Sequence, residues 1–235
     1  PEALLQLARI RPLKLFVSTT FDPLLQRALD EVRYGGQPRT RVLAYSPTNV
    51  EDLDQPVKDL PGPVVYHLFG RASAVPDYAV TEEDLLEFIH SLQSESRRPE
   101  RLIDELASHQ LLVLGSRLPG WLSRLLLRIT KRERLWLTRG KTDIVADEKM
   151  RDDPALVSFL QRFSSRTKVF QGGSPTDLVA ELYRRWSERH PAEESAPPPE
   201  SEPGDRSRDP LAMEAGAVFL SYASEDRPLV EALRQ

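Results

Sequence analysis

The sequence contains no cysteine, and no apolar run in it is long enough to cross a bilayer. Without cysteine, neither a disulfide framework nor a thiolate metal site can form. A membrane-spanning helix needs about 20 consecutive apolar residues. The first residues also lack the basic and apolar regions of a secretion signal. These absences predict a cytoplasmic protein with no membrane partner.

An excess of positive charge is absent as well. The chain has 32 Lys and Arg against 36 Asp and Glu, a formal net charge of -4. Such a balance has no general attraction for nucleic acid, so no nucleic-acid partner is predicted. The G-x-G-x-x-G, P-loop, H-E-x-x-H and G-x-S-x-G signatures do not occur. The four histidines lack the paired spacing of a metal site, and each is interpreted as a surface or hydrogen-bonded histidine. No metal is predicted.

Short apolar runs alternate with segments of helical period along most of the chain. Strands are predicted at residues 13–17, 41–45, 64–69, 111–115, 143–146 and 168–170. Helices are predicted at 24–32, 81–92, 101–108, 121–129, 154–163 and 175–186. This order is typical of an α/β fold, a Rossmann-like parallel sheet with flanking helices.

Two of these segments carry more detailed predictions. Residues 111–115 are apolar throughout, which favours a central strand covered on both faces. Thr81 and Asp84 have the spacing of a capping box and predict a helix start. The apolar face predicted for that helix consists of Leu85, Leu86, Phe88, Ile89 and Leu92.

Residues 191–215 break this pattern, because prolines and acidic residues alternate there with almost nothing apolar. Such a segment cannot bury enough surface to offset the entropy of ordering it. We therefore predict a disordered spacer between two domains, with a long loop inside one domain as the alternative. The predicted domains are residues 1–190, with an N-terminal part missing, and residues 216–235, the truncated start of a second domain.

The run A-V-F-L-S-Y-A-S-E-D at residues 217–226 resembles the first box of Toll/interleukin receptor (TIR) domains. That resemblance implies a flavodoxin-like fold, self-association or pairing with another TIR protein, and in many members cleavage of NAD. The catalytic glutamate of those members would lie beyond Gln235, so the fragment alone is expected to be inactive. Ser221, Tyr222 and Asp226 are predicted to contact nucleotide, since ligands gather beyond the carboxyl ends of strands. Helix capping by Ser224 and Asp226 is the alternative.

Three blocks within residues 10–190 resemble the sirtuin-like family of bacterial immune proteins. They are V-S-T-T-F-D-P-L-L at 17–25, V-Y-H-L-F-G at 65–70 with T-E-E-D at 81–84, and L-V-L-G-S at 112–116. They are similar to that family's T-T-N-[FY]-D-x-L-[LI], K-[LI]-H-G and G-Y-S-x-x-D-W blocks. The resemblance implies NAD as substrate or ligand, with Thr19, Thr20 and Asp22 as cofactor-binding residues.

The departures from the family pattern concern its catalytic positions. In catalytic members, the asparagine of the first block and the histidine of the second hold and activate the nicotinamide ribose and water. Here these positions are Thr20 and Phe69, and a phenyl ring cannot transfer a proton. His67, two residues before Phe69, is predicted to point to the same face about 7 Å away. His67 is the catalytic candidate that these blocks offer.

These observations favour a bacterial defence or signalling protein with NAD-linked chemistry. Its sirtuin-like domain would sense or scaffold, and its TIR domain would cleave NAD in the full-length homo-oligomer. The first alternative is a non-enzymatic TIR adaptor whose domains only mediate assembly. The second is an active sirtuin-like NAD hydrolase that uses His67.

Overall fold

The structure is a computed structural model that describes residues 2–73, 77–115, 143–146, 167–170 and 172–191, with Ile129 and Ser158 as isolated positions. The chain divides into two units, and every described residue except Ser73 belongs to the larger one, Pro1–Ala72 and Asp77–Pro199. The predicted linker beyond residue 191 and the predicted TIR segment lie outside the described residues. So do nearly all residues of the helices predicted at 121–129 and 154–163.

The described part of the chain confirms the α/β prediction. Its helices are α1 (Glu2–Arg9), α2 (Leu24–Tyr34), α3 (Glu82–Gln93), α4 (Glu100–Ser108) and α5 (Pro175–Arg189), with a short 3-10 helix at Val57–Asp59. Its strands are β1 (Leu15–Ser18), β2 (Arg41–Ala44), β3 (Val64–His67), β4 (Leu112–Leu114), β5 (Asp143–Ala146) and β6 (Thr167–Val169). The sequence prediction contained all of these except α1 and the 3-10 helix. None of the described helices is long and apolar enough to cross a membrane.

Within the described residues, the strands form two parallel three-stranded sheets, ordered β1-β3-β2 and β4-β5-β6. All four residues of β3 are buried, whereas those of β4 are half-buried and β4 lies at the edge of its sheet. The prediction that residues 111–115 form a central strand covered on both faces is therefore wrong for the described sheets, because β5 lies in the middle of the sheet that contains β4, and β3 lies in the middle of the other sheet. An apolar run shows that a strand is buried, but the strand order depends on long-range pairing.

Two apolar clusters cover the two faces of β3. Val64 and Tyr66 belong to one cluster, with residues of α3 and α4, and Val65 belongs to the other, with residues of α1, α2 and α5. Neighbouring residues of a strand point to opposite faces, so β3 carries both cores. Helices on both faces of parallel strands give the Rossmann-like architecture.

For helix α3, the structure confirms the predicted cap but only part of the predicted apolar face. Its capping box is confirmed: Asp84 N donates to Thr81 Oγ1 at 3.1 Å, and Thr81 N donates to Asp84 Oδ2 at 2.7 Å. The hydrogen bond from Thr81 N, together with those from Val80 N and from the Thr81 side chain, lowers the pKa of the Asp84 carboxyl group. The predicted apolar face is wrong for Leu86, which is 52% exposed. Leu86 lies two residues from the buried Phe88, and residues two apart face different sides of a helix.

Helix α4 is capped from a distant part of the chain. Pro99 precedes it and makes no side-chain cap. The carboxylate of Asp52, in the segment after β2, accepts hydrogen bonds from the backbone of Arg101 at 2.8 Å and of Leu102 at 2.9 Å. This contact satisfies two free N–H groups at the helix start and ties α4 to the carboxyl end of β2.

Candidate functional site

The carboxyl ends of β1, β2 and β3 are level with one another. Ser18 of β1 and Ala44 of β2 both pair with His67, the last residue of β3. The segments that follow the three strands therefore meet along one edge, which we call the carboxyl edge and define as residues 18–24, 44–51 and 67–72. Ligands of doubly wound sheets bind beyond this edge.

The segment between β1 and α2 contains the predicted cofactor-binding residues Thr19, Thr20 and Asp22. Thr20 is exposed, and its backbone N–H donates to Ser18 Oγ at 3.2 Å. The Ser18 and Thr20 hydroxyl oxygens are 3.0 Å apart. Asp22 Oδ1 accepts from the backbone N–H of Leu24 at 3.0 Å, which stabilises the start of α2. The structure thus brings these three residues together at the carboxyl edge.

His67 lies beneath this segment and is 1% exposed. Its Nδ1 is 2.8 Å from the carbonyl oxygen of Thr20. A carbonyl oxygen can only accept, so Nδ1 carries the hydrogen. Burial, as the largest cause, lowers the pKa of His67 and favours the neutral ring.

The other ring nitrogen of His67, Nε2, therefore carries a lone pair. It is buried and has no hydrogen-bond partner in the described part of the chain. The interpretation of every histidine as exposed or fully hydrogen-bonded is wrong for this atom. Sequence reasoning could not see this, because the burial of His67 depends on the segment that folds over it.

Phe69 does not share a face with His67, contrary to the sequence prediction. Strand β3 ends at His67, and Phe69 lies in the following turn. Phe69 belongs to the same cluster as Tyr66, and its ring packs edge-on against Phe88 with centroids 6.3 Å apart. His67 has the strand parity of Val65, which belongs to the opposite cluster. Alternation holds only while the chain stays extended, and a turn ends it.

Three further residues meet at this edge, and sequence reasoning missed them. Thr48 Oγ1 donates to Asp77 Oδ2 at 3.0 Å, and the ring of Tyr78 lies 5.1 Å from that of Phe21. Tyr78 also forms an isolated antiparallel bridge with Gly70. Thr48 and Asp77 are 29 positions apart, and Tyr78 is even farther from Phe21, so no local sequence pattern links these residues.

The second sheet also presents polar residues where a strand ends. Ser174 follows β6 and forms a capping box with Asp177 at the start of α5. This arrangement is explained by helix capping. The predicted residues Ser221, Tyr222 and Asp226 lie outside the described residues. Among the residues that the structure describes, no three His, Asp or Glu side chains could together hold a metal ion.

Parallel strands with helices on both faces define a Rossmann-like α/β domain, and polar loops lie at one edge of its sheet. The SIR2-like domain family matches residues 14–135, just over half of the 235-residue chain. The chain belongs to this family, which confirms the sirtuin-like part of the resemblance. No TIR match is found. No curated protein and no solved structure matches the chain.

Proposed function

We propose that the SIR2-like domain binds NAD or an ADP-ribose derivative at the carboxyl edge and acts as a sensor or scaffold without cleaving the ligand. SIR2-like domains are NAD-related. The observation that carries the proposal is the burial of Phe69, which is 2% exposed. By the resemblance to the sirtuin-like family, Phe69 takes the position of that family's catalytic histidine. Its ring is part of the core and has no proton to transfer.

The other polar groups of the edge support binding more than catalysis. The Thr20 hydroxyl replaces an amide of the family pattern and lies 3.0 Å from the Ser18 hydroxyl. The His67 ring uses Nδ1 to bond the backbone, and its Nε2 is buried. A general base must reach the proton that it removes, either directly or through one water. Ser18, Thr20 and Asp22 can still form hydrogen bonds to a nucleotide.

The experiment compares binding and turnover in the purified chain. We expect saturable binding of NAD or ADP-ribose by calorimetry and no release of nicotinamide above background. Thr20→Arg should weaken binding at least about 10-fold, because it places a large side chain at an exposed edge position. Asp59→Arg is the matched control, since Asp59 is exposed in the 3-10 helix before β3, away from the carboxyl edge.

Two results would contradict this proposal. One is the absence of any binding by the wild-type chain. The other is nicotinamide release that disappears in His67→Ala, which would identify the domain as an active hydrolase that uses His67.

We further propose that residues 191–215 are a linker and that a TIR effector begins at residue 216. The F-L-S-Y-A-S-E-D run supports this second part. In a full-length bacterial defence protein, this effector would self-associate and cleave NAD. Tyr222→Ala and Asp226→Ala are then expected to stay folded and to abolish nicotinamide release.

Ser224→Ala is the matched control for these two variants. Loss of a helix cap costs about 1 kcal/mol of stability and should leave turnover intact. Wild-type rates in both Tyr222→Ala and Asp226→Ala would remove these residues from the site. A full-length protein that self-associates in light scattering but releases no nicotinamide would favour the non-enzymatic adaptor.

A further inference from the structure

The β1–α2 segment is held against the end of β3 by hydrogen bonds of two kinds. Two come from the backbone: Leu68 N donates to Ser18 O at 2.8 Å, and Ala72 N donates to Phe21 O at 3.0 Å. The third comes from a buried side chain, His67 Nδ1 to Thr20 O at 2.8 Å. This bond reaches the middle of the segment that contains Thr19, Thr20 and Asp22.

Only one tautomer of His67 fits this geometry. Thr20 O also lies 3.1 Å from the Ser18 hydroxyl, which donates to it. Both donors act on the same carbonyl oxygen, which has two lone pairs. Nδ1 must carry its hydrogen, and a neutral ring then has none on Nε2. In the tautomer with the hydrogen on Nε2, the Nδ1 lone pair would face the lone pairs of the carbonyl oxygen, and the two atoms would repel each other.

We propose that His67 is a positioning residue that holds the β1–α2 segment in its ligand-binding conformation through Thr20 O. Its effect on ligand affinity rests on the proposed function, whereas its effect on the segment does not. The neutral ring is the form that closes the segment. Protonation puts a hydrogen on buried Nε2, where the described residues offer no acceptor.

The charges around the ring determine the direction of the pH effect. Burial is the largest cause and lowers the pKa of His67, and Arg71 lowers it further. The hydrogen bond to the Thr20 carbonyl and the charge of Asp22 raise the pKa, but burial outweighs them. A histidine whose pKa is lowered by folding stabilises the closed form above its ordinary pKa of about 6.5. The closed form loses this contribution as the pH falls below that value toward the lowered pKa. The segment should therefore loosen in acid.

Two substitutions separate the hydrogen-bond donor of His67 from the titration of its ring. His67→Asn keeps an amide N–H near the position of Nδ1 and removes the titration. His67→Phe keeps a ring and removes the donor. Deuterium exchange of residues 18–24 is measured in the ligand-free chain, and ADP-ribose affinity is measured by calorimetry. His90→Asn is the matched control, because His90 is exposed on α3.

In His67→Phe we expect protection of residues 18–24 to fall at least about 10-fold and ADP-ribose affinity to fall by a similar factor. His67→Asn should stay within about 3-fold of wild type in both at pH 7.5. Between pH 7 and 5, protection should fall in wild type and in His90→Asn but not in His67→Asn. Nitrogen NMR of the wild type at pH 7.5 should show the hydrogen of His67 on Nδ1.

Each contrary result is specific. Unchanged protection in His67→Phe, or a hydrogen on Nε2, overturns the positioning role. Equal losses in His67→Asn and His67→Phe show that the Nδ1 donor is not what matters. Should His67→Phe fail to fold, the NMR tautomer and the pH profile of His67→Asn decide. A wild-type chain that passes the exchange and NMR tests but binds no ADP-ribose overturns the proposed function alone.

Discussion

Arg33→Met is expected to lower the free energy of unfolding by about 3 to 5 kcal/mol, the largest effect among the substitutions considered. The Arg33 side chain is on α2 and 7% exposed. Its guanidinium donates to four backbone carbonyls at the end of α1 and just after it. They are those of Ala8 at 2.8 Å, Ile10 at 3.0 Å, Arg11 at 3.4 Å and Leu13 at 2.9 Å.

Methionine fills much of the same volume but donates no hydrogen bond. Each buried acceptor left unpaired costs about 1 to 3 kcal/mol, which is why the loss is large. The guanidinium carbon also lies 5.7 Å from the centre of the Phe16 ring. Burial lowers the pKa of Arg33 to about 10, so the side chain remains charged at neutral pH. Its positive charge also suits the carboxyl end of a helix.

Urea unfolding followed by circular dichroism measures the effect. Arg27→Met is the matched control, because Arg27 is exposed on the same helix and should change stability by less than about 0.5 kcal/mol. Arg33→Lys should recover less than half of the loss, since one ammonium group cannot reach all four carbonyls. Equal stability of Arg33→Met and Arg27→Met would show that the carbonyls find other donors.

Gly70→Ala is expected to cost about 3 kcal/mol. Gly70 follows Phe69 at the carboxyl edge and has φ of 80°, a conformation that costs an L residue about 1 to 2 kcal/mol. A Cβ atom there would overlap the carbonyl oxygen of Asp77 and lie 2.5 Å from Tyr78 Cα. These neighbours are backbone atoms, so relief requires the segment around Tyr78 to move away from the edge.

Gly36→Ala provides the control for backbone conformation. Gly36 has a similar φ of 85°, but an added Cβ would meet no atom within 4 Å. Gly36→Ala should cost only the conformational part, about 1 to 2 kcal/mol. The difference between the two variants, measured by urea unfolding, isolates the overlap with Asp77 and Tyr78. Equal costs would mean that this segment gives way freely.

Local patterns predicted the parts of the fold that depend on neighbouring residues. The Thr81–Asp84 capping box and the helical face of Phe88 and Leu92 follow from contacts three or four positions apart. The prediction for Leu86 was wrong because it followed hydrophobicity, whereas the spacing of residues along the helix places Leu86 on the exposed side. Helix α1 was not predicted. The four carbonyls that Arg33 bonds lie in α1 and just after it, 20 or more residues from Arg33, so no local pattern shows these contacts.

The candidate site also has some features that the sequence predicted and others that depend on distant residues. The T-T-F-D segment could be placed at a strand-to-helix turn from its sequence. The position predicted to correspond to the family's histidine is Phe69, which also comes from the sequence alone. The relation of His67 to Phe69 could not be predicted, because it depends on the residue at which β3 ends. Thr48, Asp77 and Tyr78 carry no motif that links them to this segment.

By itself, the sequence determined the α/β class, most of the helices and strands, and the sirtuin-like resemblance. These properties reside in periodicity and in residue identity at short spacing. The tertiary structure alone decided that β3 is the central strand, that Phe69 enters the core, and that the His67 ring bonds Thr20 O beneath the β1–α2 segment. The tautomer depends on two groups 47 residues apart, and strand order and burial likewise depend on residues that meet only when the chain folds.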